Sequence, residues 1–373
     1  MTEKIYQKLA KHLDNLPGGF PSSDTGVEFR ILKRLFTPDE AEFALYLTLI
    51  PEQSSVVARR ANVSTQKASQ RLETMAQKGL IYRIDADGDP PMYMASQYVI
   101  GIWEFQVKDL DEGLARDMGE YMPLLFDEAW KKPQLRTIPV NKSLPGELKL
   151  MTYENAEAMV KNIEKAVVAP CICRRERSLL GKGCDKPEET CLVFNTAAAY
   201  YQRNGLGREI DGQEVLDILK KAEEAGLVLQ PTNAREIVNI CCCCGDCCGV
   251  LRSLKAYPKP ASFAASSFFA VVDTETCEDC RVCEDRCQMA AVYHVGGKTS
   301  VDMDRCIGCG LCVPSCPTDS MTLARKPESD QPDVPGDIIK ATIELGRARG
   351  KLSLGDLITM QVKSKVDRLL ASK

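Results

Sequence analysis

Residues 277–317 carry Cys277-x-x-Cys280-x-x-Cys283-x-x-x-Cys287, and then Cys306-x-x-Cys309-x-x-Cys312-x-x-x-Cys316-Pro317. Cys306 lies 29 residues beyond Cys277, so the stretch is an internal repeat with one cysteine run per unit. A four-iron cube needs a soft thiolate at each corner. The close Cys-x-x-Cys-x-x-Cys turn can wrap three corners while its backbone amides stay free to donate to the sulfurs. Eight thiolates at these offsets are the ligand set of two such cubes, and packing alone does not produce this spacing twice.

This segment resembles the two-cluster bacterial-type ferredoxins over roughly residues 265–325. The resemblance implies crossed ligation, in which the fourth cysteine of each run serves the other run's cube. One [4Fe-4S] cluster is then expected on Cys277, Cys280, Cys283 and Cys316, and the other on Cys306, Cys309, Cys312 and Cys287. Gln288 departs from the pattern, because the family usually has a proline after the fourth cysteine; Pro317 keeps it in the second copy.

The chain has 373 residues, enough for two or three domains, with 44% hydrophobic and 27% charged residues. A net charge of −4 weighs against a nucleic-acid-binding protein. The N-terminus shows no signal-peptide pattern, and no run approaches the roughly 20 apolar residues of a membrane span. A cytoplasmic location is expected, where clustered thiols bind metal rather than form disulfides. Eighteen cysteines against two histidines, His12 and His294, turn that metal chemistry towards thiolates. His294 reads as a strand residue.

The fold class expected is α+β and multidomain. Residues 1–135 form a front domain with helical extensions, 136–262 a cysteine-rich domain, 263–325 a two-cluster βαβ-repeat domain, and 326–373 a helical C-terminal arm. In the front domain Thr37, Pro38 and Glu40 spell a capping box, a second helix starts at Ser54 or Ser55, and Ser64 caps a third. Leu80–Ile84 and Met92–Ala95 read as strands around an acidic turn bearing Asp85, Asp87 and Asp89. Three helices and a hairpin in this order resemble the winged helix-turn-helix fold over residues 37–96. Recognition of DNA through Lys67, Gln70, Arg71 and Lys78 competes with docking to a protein. Residues 1–100 hold 12 basic and 12 acidic side chains and an acidic wing, so docking is preferred.

In the middle domain a helix is expected over 154–166, followed by Cys171, Cys173, Cys184 and Cys191 within 21 residues. These four suit either a structural zinc or a further iron–sulfur cluster, and the cluster is preferred. Arg174, Arg175 and Arg177 would offset its negative charge. The run Cys241-Cys242-Cys243-Cys244-Gly245-Asp246-Cys247-Cys248 puts six cysteines in eight positions. Adjacent side chains diverge on a strand, so all six cannot serve one cube. Cys241, Cys243, Cys244, Cys247 and Cys248 are candidate ligands with the earlier four; a redox dithiol is the competing reading.

Taken together, the front domain, the cysteine-dense run and the two-cluster tail resemble multidomain iron–sulfur proteins of anaerobic microbes. The resemblance implies an electron-transfer role beside a redox enzyme or its subunits, with self-association left open. No dinucleotide fingerprint or phosphate loop appears, so whether the chain is itself an enzyme stays open. A redox-sensing regulator and an oxidoreductase with a noncanonical catalytic cluster are the alternatives.

Overall fold

The computed structural model describes residues 2–86, 88–143 and 151–371. Asp87 of the expected acidic turn lies outside them, as do Pro145 and Gly146, where the sequence reads as a proline-bearing passage into a second domain. The chain packs as two compact units, one of residues 1–132, 199–206 and 342–373, the other of 133–198 and 207–341. The architecture is mixed α+β, built from helices and small antiparallel sheets.

In the first unit, α1 (Thr2–Asp14) and α2 (Val27–Leu35) precede α3 (Pro38–Ala44). Thr37 Oγ1 accepts from Glu40 N at 3.3 Å and Thr37 N donates to Glu40 at 2.8 Å, completing the capping box. The two-residue strand β1 (Glu52–Gln53) leads into α4 (Ser54–Ala61), and Ser64 caps α5 (Thr65–Gln77). Ala68, Leu72, Met75 and Ala76 are the buried stripe of α5, as their helical spacing requires. Gly79, at φ +71°, turns the chain into β2 (Ile81–Ala86), which pairs with β3 (Asp89–Ala95). The sheet order is β1-β3-β2. The long α6 (Glu112–Ala129) continues through Pro123 and buries Tyr121 against Phe20 and Tyr98.

In the second unit the expected helix over 154–166 is only the single turn α7 (Ala156–Val160). The chain is already extended at β4 (Ala166–Pro170), where Val167 and Val168 are fully buried. β-branched side chains at successive positions favour a strand buried on both faces over a helix. After α8 (Ile172–Leu179) come β5 (Glu189–Phe194), α9 (Asn195–Arg203), whose residues 199–203 are counted in the first unit, and β6 (Arg208–Ile210). α10 (Gly212–Glu224) ends before Gly226, then β7 (Val228–Pro231) and β8 (Asn239–Cys243) complete a five-stranded sheet of order β6-β4-β5-β8-β7. α11 (Gly249–Ala256) follows.

The same unit continues with β9 (Phe268–Val272), α12 (Val282–Arg286), the hairpin β10 (Val292–Val295) and β11 (Lys298–Val301), and β12 (Met321–Arg325), which pairs antiparallel with β9. His294 lies in β10, against Asp279 and Thr299. The 29-residue repeat is visible in the backbone: Asp279, Arg281 and Ala290 have left-handed φ of 54°, 65° and 51°. Gly308, Gly310 and Asp319 at the corresponding places have 68°, 75° and 52°.

The chain ends with α13 (Ile338–Ala348) and α14 (Leu354–Ala371). α14 packs on α4 through polar groups. Asp367 sits between Arg59 and Arg60, Arg60 also pairs with Glu52, and Ser364 donates to Glu52 at 2.7 Å. Its apolar residues Leu354, Ile358, Val362, Val366 and Leu370 are instead exposed. Among the described residues, no helix is long and apolar enough to cross a membrane.

Candidate metal centres

The second cysteine run folds around a cavity. Cys287, Cys306, Cys309 and Cys312 all line it, together with Ala270, Ile307 and Leu311, and its volume is about 20 Å³. Two sulfurs already accept backbone amides, Cys306 from Ala270 N at 3.4 Å and Cys287 from Ala291 N at 3.2 Å. Burial pushes the Cys309 thiol up to about 12, and those of Cys306 and Cys312 also upwards. Thiols so placed do not ionise by themselves, so a cation is needed to hold them as thiolates. The donor set fits a thiolate-ligated cluster. Gly308 is required by close approach, since a Cβ there would stand 2.2 Å from Phe268 O.

In the first run Cys280 is exposed, Cys277 half-buried and Cys283 buried; burial raises the Cys283 thiol, with the neighbouring Cys280 and Cys277 acting the same way. Cys277 Sγ bonds Thr299 Oγ1 at 3.3 Å. Cys316 connects to this side through hydroxyls: its Sγ is 3.6 Å from Thr318, Thr318 bonds Ser320 at 2.5 Å, and Ser320 bonds Thr276 at 3.1 Å.

The middle cysteines divide into two groups. β5 and β8 pair Cys191 opposite Cys241, and strand alternation puts Cys243 on the same face as Cys241. Thiol–thiol hydrogen bonds then run from Cys171 to Cys173, Cys248, Cys243, Cys241 and Cys191. Hydrogen bonds from Cys191 and Cys243 hold the Cys241 thiol well below its ordinary range, and those from Cys173 and Cys243 do the same for Cys248. Cys184, Cys244 and Cys247 form the other group, with all three sulfurs within 4.8 Å of one another. Cys242, on the opposite face of β8, is buried.

Of the three arginines singled out in the sequence, Arg174 is the one turned to the thiols. It is 3% exposed, donates to Cys242 O at 2.8 Å and to Thr190 Oγ1, and lies within electrostatic reach of Cys171, Cys243, Cys244 and Cys184. Arg175 pairs instead with Glu188. Sequence reading missed Glu176, which is 2% exposed and, among the described residues, has no hydrogen-bond partner at Oε1, with Arg252 3.9 Å from that oxygen. Burial pushes its carboxyl up to about 7, against the pull of Arg252 and Arg177. Its place three residues after Cys173, on the same face of α8, was the available signal.

Gln288, the departure from the ferredoxin pattern, also has a partner. Its side-chain oxygen accepts from Gly245 N at 2.8 Å. A Cβ on Gly245 would stand 2.3 Å from Gln288 O, so this approach needs glycine. Cys287, in the wall of the cavity, and Cys244, in the three-thiol group, are thereby joined through one hydrogen bond and their adjoining residues.

A family model for the 4Fe-4S binding domain matches residues 299–322, the second cysteine run and its flanking strands. The chain therefore carries a ferredoxin-type iron–sulfur domain near its C-terminus, with at least one [4Fe-4S] cluster, and iron–sulfur electron transfer follows in general terms. No curated protein matches the chain, and no solved structure does.

Proposed function

We propose that this chain is a cytoplasmic electron-transfer protein, or a subunit of an oxidoreductase system of the kind found in anaerobes. In this reading it relays single electrons through two [4Fe-4S] clusters and at least one further cluster. Cys277, Cys280, Cys283 and Cys316 hold one cube, and Cys306, Cys309, Cys312 and Cys287 the other. Cys171, Cys173, Cys191, Cys241, Cys243 and Cys248, which gather at β5, β8 and the N-terminal ends of α8 and α11, are the ligand pool of the further centre. A bound cluster supplies one-electron chemistry; the chain's side chains set position and charge, with Arg174 offsetting negative charge beside the middle thiols.

The observation that carries this reading is the Gln288–Gly245 contact, which brings the cysteine-dense loop against the ferredoxin-type segment at its cluster pocket. Two isolated storage sites have no need of such an approach. The test is iron analysis with electron paramagnetic resonance on anaerobic protein. About eight irons are expected for the paired cubes and about four more for a middle cluster. Iron at about four or fewer would overturn the relay.

The N-terminal helices and hairpin are read as a winged-helix-like docking domain for a redox partner. Of the cations that would face DNA, Lys78 pairs with Glu40 at 2.7 Å, and Arg71 lies over the Phe43 ring and 3.9 Å from Asp39. Both carry local partners already, which favours docking over a redox-sensing regulator. The outward face of α14 supports self-association with a second copy. Leu354, Ile358, Val362, Val366 and Leu370 recur every fourth residue, symmetric about Val362, so an antiparallel two-fold pairing sets Ile358 against Val366 and Asp356 against Arg368.

A further inference from the structure

Three sulfurs stand apart from the rest. Cys184, in the loop after α8, meets Cys244 and Cys247 from the turn that follows β8, with Cys184 Sγ 3.7 Å from Cys244 Sγ. Two thiolates on one tetrahedral zinc ion, each bonded at about 2.3 Å, stand about 3.8 Å apart. Thiolates on different corners of a four-iron cube diverge outwards, so three of them do not all lie within 4.8 Å of one another. The ferredoxin-type segment provides the comparison within the same chain. Its cysteines surround a cavity and do not close to a mutual separation of 4.8 Å, and among the described residues only Cys184, Cys244 and Cys247 do so.

We infer that Cys184, Cys244 and Cys247 bind a single tetrahedral metal ion, zinc by ligand type, at a centre separate from the clusters. Among the described residues no fourth cysteine, histidine or carboxylate joins the group within that distance. Three protein ligands leave the fourth position of a tetrahedral zinc ion to an exogenous ligand, whereas closed structural sites use four protein ligands. Cys244 and Cys247 are buried and Cys184 is half-buried, so the fourth position is reached from the Cys184 side. Arg174, buried within electrostatic reach of Cys184 and Cys244, offsets the negative charge that three thiolates leave on one zinc ion, and a soft donor such as a thiolate suits the fourth position. This centre takes three of the ten middle cysteines out of the cluster pool and leaves the six-thiol group intact.

Zinc and iron are measured together on the full-length chain purified without oxygen. About one zinc per chain is expected beside the iron, and Cys184→Ser should lose most of that zinc with iron unchanged. A second measurement needs no variant: cobalt supplied during expression should give tetrahedral cobalt–thiolate absorption that shifts when ethanethiol is added. Wild-type protein without zinc, in which Cys184→Ser loses about four irons, would assign these thiols to a cluster and overturn the inference. A Cys184–Cys244 disulfide in place of metal, or a cobalt spectrum indifferent to ethanethiol, would overturn the metal site or its open position respectively. Absence of iron with zinc retained would instead overturn the relay and leave this centre standing.

Discussion

Gly245 and Gln288 show how one residue can decide whether two parts of a fold meet. Gly245 has no room for a methyl group against Gln288 O, whereas Gln288 contributes one hydrogen bond from its side chain. Gly245→Ala is therefore expected to cost about 1–3 kcal/mol by overpacking and backbone shift, and Gln288→Ala about 1 kcal/mol. Anaerobic denaturant titration of both variants checks the order; equal losses would mean that the approach is not tight. Arg174 acts at the same scale. Its charge is buried beside the thiols, so Arg174→Gln should lower the iron retained by the middle cysteines while the ferredoxin-type paramagnetic signals persist. Loss of both signals together would show a general folding role instead.

Among the elements, α14 is turned inside out relative to an ordinary amphipathic helix: Ser364 and Asp367 are buried and its apolar stripe is exposed. Burial alone would raise the Asp367 carboxyl, but hydrogen bonding and charge from Arg60, with Arg59, leave it lowered. A lowered folded pKa gives stabilisation that is complete above the unfolded value of about 3.9 and is lost as pH falls below it. Hydrogen exchange should thus show α14 opening in acid before the rest of its unit, and Asp367→Asn should open it at neutral pH. Protection of α14 unchanged at pH 3 would contradict this. The stripe itself calls for a different measurement. Val362→Asp should convert a dimer to a monomer in light scattering, and binding of the wild-type chain to anionic vesicles without dimerisation would assign the stripe to a membrane surface.

At the scale of the molecule, the thiol-lined site of the ferredoxin-type segment links metal to folding. The cavity thiols Cys306, Cys309 and Cys312 are raised by burial, so a metal-free chain keeps neutral thiols around open space. Removing iron with a chelator under reducing conditions should lower the melting temperature of the second unit and leave the first nearly unchanged, read by calorimetry. A single transition shifted as a whole would show that the two units do not unfold separately.

Much of this was legible in the sequence because the signals are local. The Thr37–Glu40 capping box, the Ser64 cap and the buried stripe of α5 each depend on residues within a few turns. The cysteine spacing of 277–316 carries its chemistry in the offsets themselves, and β-strand alternation alone sets Cys242 apart from Cys241 and Cys243. What tertiary structure alone decided depends on segments far apart in the chain. It replaced an expected helix over 154–166 with the start of a five-stranded sheet, because burial on both faces overrides local periodicity there. It separated Cys184 from Cys171, Cys173 and Cys191, and it gave Gln288 a partner 43 residues away. Spacing specifies which thiols can share one loop; only the packing of strands and loops specifies which thiols share one metal.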